Sequence, residues 1–335
     1  MDLIVATDRG LHCAAGDFYI DPWRPVSRAL ITHGHSDHAR FGSDIYVCQT
    51  ATAPILRKRL GEGIAVETVA YGEVLARDGV NVSFHPAGHV LGSAQIRVEY
   101  RGEVWVASGD YKLEADGVST PFEAIRCDAF ITESTFGLPI YRWRPQAETM
   151  GEIDAWRREN AAAGRASVIY AYSLGKAQRI LANIDPTLGP IYCHGAIEAI
   201  NDLHRAAGVN LPPTLAAPEA RGKRDFADAL IVAPPSAVGS AWLKRFGEYS
   251  DALASGWMQV RGNRRRRGLD RGFVVSDHAD WPGLLEAIAA TGATRMLATH
   301  GFVAPLSRYL QEQGLDAHPL QTAYGEDEEV AGAEA

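Results

Sequence analysis

The chain lacks a long apolar run, a cysteine framework and a basic overall balance, and each absence removes a class of protein. No apolar stretch approaches the ~18–20 residues needed to span a bilayer, so membrane insertion is not expected. The opening MDLIVATDRG has no basic region followed by apolar residues, so a signal peptide is not expected and a cytoplasmic location is. The four cysteines, Cys13, Cys48, Cys127 and Cys193, are far apart with no CxxC pair. That argues against a disulfide framework or a zinc finger and leaves them as small buried hydrophobes. The net charge of −8 argues against an indiscriminate coat for nucleic acid.

What is present is ordinary for a globular protein: 335 residues, 46% hydrophobic and 22% charged, enough for one large or two medium domains. The charge is uneven. Glu326, Asp327, Glu328, Glu329 and Glu334 follow Tyr324 with no basic residue, which reads as a disordered acidic tail over 325–335. Arg261, Arg264, Arg265, Arg266, Arg267 and Arg271 crowd a stretch whose one acid is Asp270. Such a strip is a solvated loop or a phosphate-binding surface.

The first third reads as short strands broken by turns: LIVAT, FYI, ALIT, DIYVC, VNVSF, QIRVEY and VWVAS. One early helix is expected from Ala51 to Leu60, with Thr50 as its cap. From about residue 139, strand and helix alternate, which implies parallel strands. RGFVVSDHAD, DWPGLLEAIAAT and RMLATHG then resume the first pattern. The chain therefore reads as a discontinuous outer domain, 1–138 and 268–324, with an inserted α/β domain, 139–267.

The strongest local signal is His33-Gly34-His35-Ser36-Asp37-His38, at the end of the apolar strand Ala29–Ile31. Strand ends are where α/β sheets place ligands. Three imidazoles and a carboxylate this close suit two adjacent metal ions better than one. Gly88-His89, Gly109-Asp110 and His300-Gly301 each set another His or Asp just past a strand. A lone His or Asp in such a place is usually structural; together they complete a dinuclear ligand set.

HGHSDH resembles the HxHxDH signature of the metallo-β-lactamase superfamily, and Asp21, His89 and Asp110 resemble its other metal-site motifs in order. Glu133 in Thr132-Glu133-Ser134-Thr135, His278 in Ser276-Asp277-His278-Ala279-Asp280, and His300 resemble the three additional motifs of the β-CASP nucleases. SLGKAQ (from Ser173) and SGWM (from Ser255) also resemble β-CASP segments. Within that group the length and the closing TAYGED look most like the bacterial ligase-associated DNA-damage-response exonucleases. The fold this implies is α/β: a metallo-β-lactamase αββα sandwich with an inserted α/β β-CASP domain.

The resemblance implies two divalent ions, Zn²⁺ or Mn²⁺. His33, His35 and His89 would hold one; Asp37, His38 and His300 the other; Asp110 would bridge them. Asp21 would accept a hydrogen bond from a ligand such as His33 and fix its tautomer. Asp37, Glu133 and His278 are the candidate catalytic residues. His278 would serve as general acid or phosphate contact and Glu133 would orient it. A two-metal-activated hydroxide would then hydrolyse a phosphodiester.

Ser173 and Lys176, at the turn into a helix, are candidate phosphate contacts, as are Arg264, Arg265, Arg266 and Arg267. SLGKAQ is no Walker loop, because the upstream glycine is missing. The implied substrate is nucleic acid, DNA before RNA, cut as a 5′-to-3′ exonuclease in repair, with a DNA ligase and a helicase as associated partners. An RNA-processing nuclease is the alternative, because the DNA-type eukaryotic enzymes tend to carry valine where His300 stands. A small-molecule metallohydrolase ranks below both, because an insertion of this size suits a strand-shaped substrate.

Overall fold

A computed structural model describes residues 2–216, 226–260 and 268–323. The chain forms two compact units. One comprises Met1–Ala115, Ser119–Arg142 and the stretch from His278; the other holds Asp116–Val118 and Trp143–Asp277.

The first unit begins with a six-stranded sheet whose strands stand in sequence order. They are β1 (Val5–Ala6), β2 (Leu11–Cys13), β3 (Phe18–Ile20), β4 (Arg28–Ile31), β5 (Ile45–Gln49) and β6 (Val66–Val69). β1–β3 pair antiparallel, and from β3 onward the pairing is parallel. Helix α1 (Thr52–Leu60) connects β5 to β6. Its N-cap is Ala51, not Thr50. The Thr50 hydroxyl donates to the Val69 carbonyl at 3.4 Å, so it ties down the strand edge and leaves the helix uncapped by a side chain.

A second sheet follows with β7 (Val74–Arg77), β8 (Val80–Pro86), β9 (Ala94–Tyr100), β10 (Glu103–Ala107) and β11 (Ala129–Ser134). The chain then enters the second unit and returns to complete this sheet with β18 (Arg295–Gly301) and β19 (Asp316–Pro319), in the order β19-β18-β11-β10-β9-β8-β7.

Side-chain alternation shows how the layers stack. Leu30 and Val47 share one core with Trp105, Ala107, Ile131 and Leu297, so the two sheets face each other. Their neighbours one residue away point outward. Ala29, Ile31, Tyr46 and Cys48 pack with Ala53 and Leu56 of α1. Val106, Phe130, Met296 and Ala298 pack with Trp281, Leu284, Leu306 and Leu310. The last four belong to two helices of the returning segment, Trp281–Thr291 and Val303–Glu312.

The second unit has its own core and sheet. Its strands are β12 (Ala166–Tyr170), β13 (Ile191–Cys193), β14 (Leu215–Ala216), β15 (Leu230–Ala233), β16 (Tyr249–Ala254) and β17 (Arg271–Phe273), ordered β14-β13-β15-β12-β16-β17. Every strand pairing among its described residues is parallel, as strand–helix alternation requires. Helices α2 (Gln146–Ala162), α3 (Lys176–Asn183) and α4 (Gly195–Ala206) contribute Ile153, Trp156, Ile180 and Ile197 to its core. Among the described residues the remaining α-helices are α5 (Trp281–Thr291) and α6 (Val303–Glu312) of the first unit.

The boundary expected at 267/268 lies ten residues later. β17 pairs with β16 through Ala252↔Arg271 and Ala254↔Phe273, so this stretch belongs to the inserted sheet. The acidic segment 325–335 lies outside the described residues.

Candidate metal centre

The site is built at the carboxyl ends of strands in the first unit. β4 delivers the His33–His38 loop, β8 the turn with His89, β10 Asp110, β11 Glu133, and β18 His300. Parallel neighbours carry these residues to one edge, because β4, β10, β11 and β18 all end there.

The nitrogens converge tightly. His35 Nδ1 lies 3.1 Å from His33 Nε2 and 3.1 Å from His89 Nε2. Asp110 Oδ2 is 3.4 Å from His33 Nε2, 3.7 Å from His89 Nε2 and 3.4 Å from His38 Nε2. Asp37 Oδ2 is 3.3 Å from His38 Nε2 and 3.9 Å from His300 Nε2. The ligand atoms of His33, His35, His89 and Asp110 form one cluster, and those of His38, Asp110 and His300 another. Asp110 is common to both.

These residues fit a pair of cations. Donors on a tetrahedral ion with bonds of about 2.0–2.1 Å stand roughly 3.3 Å apart, close to the spacing of the imidazole nitrogens. Asp110 Oδ1 is fully buried with no hydrogen-bond partner, a costly state for a carboxylate oxygen unless a cation lies against it.

Electrostatics point the same way. Burial drives His33 well toward its neutral, ligating form, and the nearby positive His38 adds to this. Burial also disfavours charge on His38, yet Asp37, Asp110 and Asp21 surround it and hold its proton well above the usual imidazole range. Burial disfavours the Asp110 carboxylate, but His38 and His278 keep it ionised well below the ordinary range.

Asp21 meets one of the expected ligand histidines, but it is His38 and not the example His33. Its Oδ2 accepts from His38 Nδ1 at 2.8 Å, not from His33. Its Oδ1 accepts from the Thr32 amide at 2.8 Å, and the Thr32 hydroxyl donates to Oδ2. The Thr32 hydroxyl stands 3.1 Å from His33 Nδ1, so Thr32 occupies the place expected of Asp21. Asp21 itself adopts φ 41°, a left-handed conformation that aspartate tolerates.

Two glycines close the site. Gly109 (φ 56°) would set a Cβ 2.6 Å from the Thr32 Cβ, and Gly301 (φ 88°) a Cβ 2.5 Å from the Thr135 Cα. No side chain fits at either position. His300 is also left-handed, at φ 58°, held by the Ser134 hydroxyl, which reaches its carbonyl at 2.7 Å and that of Thr299 at 3.1 Å. The Thr-Glu-Ser-Thr and Thr-His-Gly segments thus fix each other where the β11–β18 register shifts.

Glu133 and His278 form a buried pair at the same place. Glu133 Oε2 is 2.9 Å from His278 Nδ1, while Oε1 accepts from the Tyr111 amide at 2.7 Å. The His278 ring centroid lies 4.7 Å from that of His89.

The second unit's candidates behave differently. Lys176 is 1% exposed, with Nζ 3.3 Å from Asp277 Oδ1 and 4.8 Å above the Tyr172 ring. Its charge is committed internally, which corrects the reading of Lys176 as a phosphate contact. The Ser173 carbonyl accepts from Gln178 Nε2 at 3.0 Å, so this turn also serves local structure. Arg264, Arg265, Arg266 and Arg267 lie outside the described residues, and Arg271 pairs with Glu159 at 2.9 Å. The sequence reading missed Arg59, whose guanidinium donates to the Gly34 carbonyl inside the metal loop.

No protein-family model matches the chain. A "Probable DNA ligase" of Opitutus terrae is 30% identical over 97% of this chain, which spans 31% of that protein. "Cleavage and polyadenylation specificity factor subunit 3" of Dictyostelium discoideum is 28% identical over 36% of the chain and 16% of its own length. "Endoribonuclease YSH1" of Eremothecium gossypii is 30% identical over 36% of the chain and 16% of its own length. A solved structure of a protein of unknown function from Enterococcus faecalis V583 shares the fold at TM-score 0.56 and 13% identity, covering 81% of this chain and 74% of that one. The chain spans under a third of the first relative and about a sixth of the other two.

Proposed function

We propose that this chain is a metal-dependent nuclease, an αββα metallo-β-lactamase domain carrying a β-CASP insertion, of the ligase-associated kind. The carrying observation is the convergence of His33, His35, Asp37, His38, His89, His300 and Asp110 at one strand edge, with Glu133–His278 beside it. Two divalent ions, Zn²⁺ or Mn²⁺, would lower the pKa of a water and neutralise charge on a phosphoryl group.

The chain's own residues do the rest. Five imidazoles and two carboxylates would hold the ions, with Asp110 belonging to both ligand groups and Asp37 adding negative charge beside His38 and His300. Asp21 holds His38 through Nδ1, which directs Nε2 toward Asp37 and Asp110. Glu133 takes His278 Nδ1 and so directs Nε2 outward, where it gives a proton to the leaving oxygen.

DNA is the favoured substrate, cut from the 5′ end, because nearly the whole chain aligns with part of a protein named for DNA ligation. Removal of damaged ends followed by sealing links the two activities, which makes a ligase and a helicase the partners to seek. The RNA reading is favoured by His300 at the site and by the endoribonuclease relatives.

The test is to incubate the Mn²⁺- or Zn²⁺-loaded protein with matched DNA and RNA strands labelled at either end, with His33→Ala and Asp110→Ala as controls. Stepwise shortening of DNA from the 5′ end, absent in both variants, is expected. Preferential cutting of RNA would replace the DNA reading, and activity retained by Asp110→Ala would remove the metal assignment.

A further inference from the structure

The basic end of α1 has no part in the ligand set. Thr52–Leu60 holds no acidic residue, and its last turn carries Arg57, Lys58 and Arg59. Cations at a helix C-terminus ordinarily complement the helix dipole. Arg59 does something else: its guanidinium leaves the helix end and donates to the carbonyl of Gly34, between His33 and His35.

Among the described residues no carboxylate stands within ion-pair distance of Arg59, whereas Arg28, Arg97, Arg144 and Arg295 each have one. A guanidinium has five N–H donors, so one carbonyl leaves most of the fork unused. The residue is exposed. Its charge is therefore fixed at the edge of the metal loop, where the Asp37 carboxylate favours it without forming an ion pair.

A second feature follows the same loop in sequence. Phe41, three residues past His38, is 72% exposed, the most exposed of the large apolar side chains described. Its turn is pinned from both sides. The Tyr46 hydroxyl donates to the Arg40 carbonyl at 2.7 Å and accepts from the Ser43 amide at 3.1 Å. Ala39 shares one core with Leu56 of α1, with Leu60 packed at its margin. One exposed phenylalanine alone would be unremarked surface. Here it follows a loop whose Ala39 packs with Leu56 of the helix that carries Arg59, so the two side chains belong to adjoining segments.

We propose that Arg59 and Phe41 form a subsite for the nucleotide next to the scissile phosphate. The Arg59 fork takes the neighbouring, non-reacting phosphate in bidentate fashion. Phe41 stacks on an unpaired base, so the occupant is a strand with single-stranded character. This deepens the nuclease reading and rests on it.

The experiment uses the full, metal-loaded chain and a fluorescein-labelled single-stranded oligonucleotide. Binding is read by anisotropy across a salt series, cleavage by kinetics, and metal content by mass spectrometry. Arg59→Gln is expected to raise Kd and KM about tenfold. It should also flatten the slope of log Kd against log salt by about 0.7, the loss of one phosphate contact on a single strand. Arg59→Lys restores the slope and part of the affinity. Phe41→Ala raises Kd about fivefold with the slope unchanged, and Phe41→Trp restores it.

An unchanged slope in Arg59→Gln, a loss of metal accounting for its whole defect, or wild-type binding by Phe41→Ala overturns the subsite. If the wild type binds and cuts while the variants match it, the subsite alone fails. If the wild type neither binds nor cuts nucleic acid, the nuclease reading fails and the subsite with it.

Discussion

Asp21 shows how much one side chain can organise. It accepts from the Thr32 amide and hydroxyl and from His38 Nδ1, so it orders the start of the metal loop and one of its ligands together. Asp21→Asn keeps the shape but replaces an acceptor oxygen with an amide donor, which cannot accept the His38 proton. Metal affinity at the His38 position should fall about 10–100-fold while the first cluster stays loaded, as competition with a chromogenic chelator would measure. Equal loss from both positions would contradict the assignment. At this scale the sequence was informative where chemistry is concentrated. The His33–His38 run and the isolated His89, Asp110 and His300 stand out because few residue types bind metals and each sat beside a glycine past a strand. Which histidine Asp21 holds was not legible, because that depends on ring orientation across seventeen residues of chain. Arg59 was missed for a similar reason: it reads as one more cation in a basic helical turn, and only its bond to Gly34 sets it apart.

Among elements, the strands with strong β-branched or aromatic content were legible, and the alternation of Trp105, Val106 and Ala107 between two cores follows from their period of two. Short polar strands such as Val66–Val69 and Val74–Arg77 were not, because exposed edge residues carry little pattern. The allegiance of Arg271–Phe273 was equally hidden, since a three-residue strand does not name its neighbour. The β11–β18 junction carries the sharpest element-level test. Gly301→Ala would force a Cβ against the Thr135 and Ser134 backbone at φ 88°, costing about 2–4 kcal/mol in urea denaturation and weakening metal binding at His300. Near-wild-type stability would mean the junction is slacker than described. In α4 of the second unit, His204 is fully buried, with Nδ1 donating to the Ile200 carbonyl at 2.9 Å. Burial lowers its pKa below the ordinary value. The unfolded chain therefore takes up this proton more readily, and stability from this group is lost as pH falls below about 6.5. The urea midpoint of the second unit should drop between pH 7 and pH 5, and less so in His204→Gln.

For the whole molecule, the division into two units separates metal from stability in a measurable way. Every proposed ligand lies in the first unit, whereas the second has its own core. Cations bound at a thousand times their Kd add about 4 kcal/mol to the unit that binds them. Chelation should lower one calorimetric transition by roughly 10 °C and leave the other in place; a uniform shift would show that the units unfold as one. The division also has a temporal side. β11 is flanked in the sheet by β18, with Ala129 beside Arg295, and Trp143–Asp277 of the second unit is made between them. As a ribosome delivers the chain, the metal loop emerges first, yet β11 waits with one edge open until β18 arrives. His278 and His300 reach the centre only then. A nascent chain halted before His278 would thus carry the His33–His38 loop without the Glu133–His278 pair or His300, so on the proposed reading it should bind metal more weakly and lack nuclease activity.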